Sequence, residues 1–257
     1  MPELPDLQVF SSNLDKALKG KTVEKVSVPV NQKLNVSVAT LSKKLKGQRI
    51  KHVYRDGKEL HISFGDNVLA LHLMLHGNLY LFEDKNDHKH TVLSLHFSDH
   101  TGLALTDWQR AATPTLNPAE REAPDALSKD VNGKRLKELL QRKTAIKALL
   151  LDQKIIRGIG NAYADEILWD ARIAPTSISN KIPDAKVKAL ARSIKKVLTQ
   201  AEKQIRKANP AFITGEIRDF LSIHNAKKKE SPTGAAIRHS TAGGRKTYYT
   251  DEQEVFK

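Results

Sequence analysis

Two textures divide this chain, and their order limits it to folds that keep strands and helices apart. From Thr22 to Thr106 it runs as short segments rich in Val, Ile, Leu and Thr, punctuated by Gly, Asp and Asn: Thr22–Val30, Arg49–Arg55, Glu59–Phe64, Asn67–His72, Asn78–Phe82, Thr91–Phe97 and Gly102–Thr106. Strands at such spacing predict a β-sandwich or barrel. Val38–Leu45 reads as a small helix interrupting it. Before it, Val9, Phe10, Leu14 and Leu18 form one apolar stripe, which predicts a first helix over Asp6–Leu18 stopped by Gly20. After it, helical periodicity takes over in Val131–Arg142, Ile146–Leu151, Gly160–Ala171, Pro183–Ile205 and a shorter stretch near Ile213–Ile223. Runs of strands followed by runs of helices exclude an alternating α/β design.

The expected class is therefore α+β, with a β-sandwich domain over residues 1–112 that includes the N-terminal helix. A linker is expected over 113–130, where Pro114, Pro118 and Pro124 interrupt a stretch of little periodicity. A helical domain should follow over 131–225. The remainder, 226–257, is basic and strand-like, with Lys246-Thr247-Tyr248-Tyr249 as its clearest run.

The 257 residues carry 43 Lys and Arg against 29 Asp and Glu, a net charge of +14, so a polyanion is the expected partner and nucleic acid the commonest of these. There is no cysteine, which excludes disulfides, thiolate metal sites and a cysteine nucleophile. Residues 1–13 hold two acids and no apolar h-region, so the start does not read as a signal peptide. No run approaches the roughly 18 apolar residues of a membrane-spanning helix. A cytoplasmic protein, nucleoid-associated if bacterial, without a membrane partner, is expected.

The opening Met1-Pro2-Glu3-Leu4-Pro5-Asp6 places a proline one cleavage from the terminus. Removal of Met1 would leave a secondary α-amine, and such amines titrate near pH ~8, so a useful fraction is nucleophilic at neutral pH. A secondary amine attacking an aldehyde carbon gives an iminium that cannot relax to a neutral imine. It stays a cationic electron sink suited to β-elimination. Further along, Lys143-Thr144-Ala145-Ile146-Lys147 precedes Gly158-Ile159-Gly160-Asn161-Ala162-Tyr163-Ala164-Asp165-Glu166. The glycines permit a tight entry into a new helix, whose first N–H groups favour an anion. Asn161 and Lys147 could hold one phosphate there, and residues 128–160 contain nine Lys and Arg against three Asp and Glu.

Together Pro2-Glu3, the Lys-Thr-Ala-Ile-Lys run and the Gly-Ile-Gly-Asn-x-Tyr-Ala-Asp-Glu turn resemble the formamidopyrimidine-DNA glycosylase / endonuclease VIII family, in order and spacing over essentially the whole chain. The resemblance implies an N-terminal β-sandwich, a helical domain with a helix–two-turn–helix motif, and a β-hairpin finger. It implies excision of oxidised bases from damaged double-stranded DNA and nicking at the abasic site, by a monomer needing no cofactor. By the same resemblance Pro2 is the Schiff-base nucleophile, Glu3 the carboxylate that opens the sugar, and Lys58 a phosphate-contacting hairpin lysine. Lys147 and Asn161 match phosphate-binding residues, and Arg245, in Gly243-Gly244-Arg245, matches the fingertip arginine.

Departures from the family pattern carry their own expectations. The four positions of the zinc cysteines hold Glu230, Thr233, Thr250 and Gln253, which are no tetrahedral zinc set, so a zincless finger and no bound metal are expected. Asp6 stands where the family's catalytic site has glutamate. Leu75, flanked by Met74 and His76, takes the position that wedges between base steps. In Asp107-Trp108-Gln109-Arg110-Ala111, Gln109 and Ala111 replace an Arg and a Phe that fill the gap behind an extruded base. Either Trp108 or Arg110 compensates, or void filling is weaker. The segment Ile213–His224 is short for the loop that caps 8-oxoguanine, which favours oxidised pyrimidines, ring-opened purines or hydantoins. Two other readings remain open: a non-catalytic or lyase-only binder of abasic or damaged DNA, and an RNA-binding module. The second fits poorly with an aromatic content of 5%, too low for an extensive stacking platform.

Overall fold

The structure, a computed structural model, describes residues 1–242 and 244–257; Gly243, part of the fingertip motif, lies outside them. The chain divides into two compact units. The first comprises Met1–Glu120 and Ile205–Glu216, the second Arg121–Gln204 and Ile217–Lys257.

The first unit contains two four-stranded antiparallel sheets, the sandwich that the strand spacing predicts. One has the order β1 (Val23–Ser27), β6 (Thr91–Phe97), β7 (Thr101–Thr106), β5 (Asn78–Glu83). The other runs β2 (His52–Asp56), β3 (Glu59–Ser63), β4 (Val68–His72), β8 (Thr113–Leu116). Leu60, Ile62, Leu69, Leu71, Leu79, Leu93, Leu95, Leu103 and Leu105 are fully buried. Gly102 stands opposite Phe82, and a Cβ added there would lie 2.0 Å from the Phe82 ring. The aromatic ring thus covers the glycine across the strand pair and fixes the β5–β7 register.

Helix α1 (Leu4–Leu18) packs against β2 and β3, and α2 (Val38–Leu45) against β1. Three polar ties staple α1 to β2. Asp15 accepts from the Val53 amide at 2.7 Å and pairs with His52 at 2.8 Å, while Arg55 Nε donates to Gln8 Oε1 at 2.9 Å. Because Asp15 meets Val53 and Gln8 meets Arg55, α1 runs antiparallel to β2, and its N-terminus lies toward the β2–β3 turn. The returning segment 205–216 packs on the same helix: Phe212 meets Phe10 edge-on at 5.0 Å, and its carbonyl accepts from Asn13 Nδ2 at 2.9 Å.

The second unit holds α3 (Gly133–Leu139), α4 (Ile146–Leu151), α5 (Asn161–Asp170) and most of α6 (Asp184–Ala208), followed by a hairpin of β9 (Arg238–Ala242) and β10 (Arg245–Tyr249). The α4 and α5 helices pack on each other, and α5 on β10.

Two expectations fail. Thr113–Leu116, inside the expected linker, is β8, paired with β4 by Leu71↔Pro114 and Leu69↔Leu116. A proline is tolerated there because β8 is an edge strand, whose missing N–H can face away from the sheet. The helix expected near Ile213–Ile223 does not form; Glu166 captures the Ser222, Ile223 and His224 amides instead, at 2.7–2.8 Å. A side-chain carboxylate then satisfies donors that a helix would have used internally.

Phe10 has no exposed surface and anchors α1 under Phe212. Phe10→Ala is expected to cost about 3–5 kcal/mol in urea denaturation; a loss below about 1 kcal/mol would show that α1 is not held by this contact.

Candidate functional site

In the first unit the candidate residues gather around the start of α1. Glu3 is the N-cap, and its side chain accepts from the Asp6 backbone while Asp6 Oδ2 accepts from Glu3 N at 2.8 Å, a reciprocal capping box built from two acids. Glu3 is 4% exposed and Asp6 fully buried; Pro2 is buried beside them. The shorter Asp6 side chain is therefore spent on the backbone of the helix entry, where it fixes the φ/ψ of Glu3 and, through it, the direction of Pro2. The amino group of Met1 is ion-paired with Glu216, which the returning segment brings to this end of the helix. Glu216 was not legible as a site residue, since nothing in its local sequence distinguishes it from a solvated surface acid.

Lys58 sits in the two-residue β2–β3 turn, between Asp56 and Glu59, half-buried. Gly57 occupies the first turn position with φ +57°, and Arg55 NH1 donates to its carbonyl at 3.1 Å. A positive φ at this position is what a tight hairpin of right-handed twist requires, hence the glycine.

A second group of residues forms an apolar rim on the same unit. Gly77 N donates to the Leu73 carbonyl at 2.8 Å, closing a turn in which Met74 has φ +54°. A Cβ on Gly77 would lie 2.2 Å from that carbonyl, so only glycine closes it. The turn leaves Met74 38% and Leu75 57% exposed. The neighbouring loop is organised by Asp107, 1% exposed, which accepts from the amides of Gln109, Ala111 and Ala112 at 2.7–2.9 Å. This loop presents Trp108, 60% exposed, with its ring 5.0 Å from that of His76; Gln109 and Arg110 are exposed beside it. Met74, Leu75, His76 and Trp108 thus stand together, whereas the sequence singled out Trp108 only as one of two alternatives.

The second unit assembles around Asp165, which has no exposed surface. Its carboxylate lies 2.7 Å from Lys147 Nζ and 2.7 Å from His224 Nδ1, and it accepts from Tyr248 N at 2.9 Å. Lys147 also donates to Thr247 Oγ1 at 2.8 Å, and Asn161 Nδ2 donates to the Lys246 carbonyl at 2.9 Å. Lys147 is 5% exposed, and its ammonium lies against Asp165 and β10. Burial of an unpaired ammonium would be costly, and the adjacent acid of the Ala164-Asp165-Glu166 run meets that requirement. What Lys147, Asn161 and Asp165 jointly fix is β10, whose first residue, Arg245, is exposed at the fingertip.

At three of the four expected metal positions the side chains are engaged in hydrogen bonds. Thr233 and Thr250 donate to Glu252, and Gln253 Oε1 accepts from Thr250 N while its Nε2 donates to the Ile173 carbonyl. Glu230 is exposed and bridges to Ala236. Two hydroxyls and an amide so occupied do not fit zinc. Among the described residues no cluster of three His, Asp or Glu is placed to hold a metal, and no helix is long and apolar enough to cross a membrane.

Comparison with known proteins gives a consistent picture. Residues 1–114 match the formamidopyrimidine-DNA glycosylase N-terminal domain, and residues 123–209 the H2TH domain of the same enzymes. A formamidopyrimidine-DNA glycosylase of Brevibacillus brevis is 31% identical over 267 residues, covering 96% of this chain and 97% of its own. The Lactococcus lactis Fpg in complex with DNA containing an oxidised pyrimidine superposes with a TM-score of 0.87 at 28% identity, covering 98% of this chain and all of that one. MutM in complex with DNA containing carbocyclic 8-oxo-G gives a TM-score of 0.88 at 28% identity over the same shares.

Asp165→Ala is expected to destabilise the protein by about 3–5 kcal/mol in denaturant titration, because it strands the Lys147 ammonium in the interior. The double variant Lys147→Met/Asp165→Leu, which removes both charges, should recover more than half of that loss; no recovery would mean the pair is not what holds the region.

Proposed function

The chain belongs to the formamidopyrimidine-DNA glycosylase family, and from that premise we propose that it is a DNA glycosylase that excises oxidised bases and then nicks the abasic site, using Pro2 as nucleophile. The observation that carries this reading is the reciprocal Glu3–Asp6 capping box, which aims Pro2 from the N-terminus of a rigidly packed helix. With Met1 removed, the Pro2 nitrogen adds to C1′ of the extruded nucleotide and the damaged base leaves with a proton. Glu3 assists opening of the sugar ring, and the product is an iminium between Pro2 and C1′. That cation acidifies C2′; loss of a C2′ proton expels the 3′ phosphate, and a second elimination can expel the 5′ phosphate. Lys58 lies on the hairpin toward which the start of α1 points and is suited to a phosphate near the lesion.

Extrusion leaves a gap in the duplex, and the rim of Met74, Leu75, His76 and Trp108 has the apolar, flat character that fills one. Trp108 rather than Arg110 takes over the void-filling role in this reading, since its exposed ring already lies against that of His76. A tryptophan face stacks on any base, so the opposite-base preference should be loose. Arg245 grips the backbone from the fingertip, and Lys147 and Asn161 act through β10 rather than by touching a phosphate. Binding through Arg and Lys to phosphates should weaken steeply with salt.

Borohydride reduction of the untagged protein on a duplex with one abasic site should yield a covalent adduct that Pro2→Gly abolishes or relocates and Glu3→Gln slows. Tight binding to that duplex without any adduct, from protein with a verified Pro2 terminus, would favour the non-catalytic reading instead. Among lesions, the missing helix and short connection over 213–224 favour oxidised pyrimidines, ring-opened purines or hydantoins. Single-turnover excision of these is expected to exceed that of 8-oxoguanine by about tenfold, a difference of about 1.4 kcal/mol in barrier; equal or faster 8-oxoguanine release would reverse this assignment.

A further inference from the structure

The two strands of the finger are held by different means. Strand β10 docks on α4 and α5 through Asp165, Lys147 and Asn161. Strand β9 and the segment 230–237 leading into it have no such anchor among the described residues. They are joined to the rest of the unit by pairing with β10, by an exposed ion pair between Arg238 and Asp251, and by the carboxylate of Glu252, which alone reaches the turn before β9.

Glu252 collects donors from three parts of the chain. Thr233 Oγ1 lies 2.8 and 2.9 Å from its two oxygens, and Ser231 Oγ lies at 3.4 Å, both from the turn before β9. Thr250 Oγ1 donates at 3.1 Å from the turn after β10. Trp169 Nε1 donates at 3.2 Å from the end of α5, and Arg172 NH1 stands at 3.0 Å. Arg172 is itself fixed: its guanidinium lies over the Trp169 ring at 4.8 Å, and its carbonyl accepts from Glu254 N. The hydroxyl of Thr233, outweighing the modest desolvation, holds the Glu252 carboxyl below the usual glutamate range. A side-chain exposure of 27% screens the Arg172 charge in part, so directional hydrogen bonds rather than Coulomb attraction do most of the holding.

Two of these donors, Thr233 and Thr250, occupy positions where the family's zinc cysteines would lie. We propose that Glu252 is the positioning residue of this finger, tying the lead-in to β9, the turn after β10 and the end of α5 at one carboxylate where relatives would use a metal ion. The carboxylate does by accepting hydrogen bonds what a cation does by accepting thiolates. Donors and acceptor have exchanged places at two of the four positions, Thr233 and Thr250, which carry hydroxyls in place of sulfur. The consequence for activity is indirect: with β9 loosened, Arg245 at the turn between the strands loses its fixed direction. This inference rests on the reading that Arg245 grips DNA.

The test compares Glu252→Ala, Thr233→Val and Arg245→Ala in the full chain. It reads amide exchange over residues 231–241, the Kd for an abasic-site duplex, and the single-turnover rate at saturating DNA. For Glu252→Ala, exchange over 231–241 should rise about tenfold and Kd by about five- to tenfold, as expected for losing charge-assisted hydrogen bonds. The rate constant at saturating DNA should stay within about twofold, a split that general destabilisation would not give. Thr233→Val should reproduce part of both effects, and none further in the Glu252→Ala background; it also carries the test if Glu252→Ala fails to fold. Unchanged exchange and unchanged Kd in both variants, with Arg245→Ala still weakening binding, would overturn the role of Glu252. If Arg245→Ala leaves Kd unaltered, the reading of the fingertip fails instead, and exchange over 231–241 alone decides whether Glu252 holds the hairpin.

Discussion

A carboxylate removed from water must be given donors, and in this protein that requirement organises several of the segments of functional interest. Asp6 takes the Glu3 amide, Asp107 three amides of the Trp108 loop, Glu166 three amides of 222–224, and Asp165 the Tyr248 amide together with Lys147. An unsatisfied buried acid costs several kcal/mol, and the same acid with charge-assisted bonds becomes a clamp on irregular backbone. Loops that cannot satisfy their own N–H groups by helix or sheet are therefore shaped by a side chain from elsewhere. Glu252 extends the device to a partly exposed setting, where it joins turns rather than shaping one.

This arrangement separates two uses of charge. The net charge of +14 is a long-range property suited to a polyanion, while individual ionised groups in the interior do local structural work. Lys147 shows why the two must be told apart. It lies in a basic part of the helical region and belongs to a motif that resembles a phosphate site, yet it is buried against Asp165. There it supports the strand that begins with Arg245. Charge density along a sequence therefore marks a region that faces an anion without identifying which cation touches it.

Much of the architecture could be read without coordinates because it rests on local periodicity. The α2 helix spans the residues expected of it, and β3, β5 and β6 differ from expectation by a residue at most. What was misread shares one cause: a partner distant in sequence. β8 exists because β4 offers an edge that accepts Pro114, and Glu166 takes the amides of 222–224 at the end of the non-helical segment. Among candidate site residues, Glu3, Asp6 and Lys58 fall at one end of α1 and its hairpin. In the sequence Trp108 stands level with Arg110, and nothing local distinguishes Glu216 or Glu252 from a solvated surface acid.

The sequence by itself determined the class of each unit, the zinc-incompatible finger and the family, because strand spacing, helical stripes, the absence of cysteine and short motifs are all local records. Tertiary structure decided which charges face solvent and which are consumed inside. It turned Asp6 into a capping residue, Lys147 into a strut, Trp108 into the partner of His76 and Glu252 into a hub. The reason is that the free energy of an ionised or aromatic side chain is set by what surrounds it in three dimensions, and residues 233, 169 and 252 become neighbours only after the chain has folded.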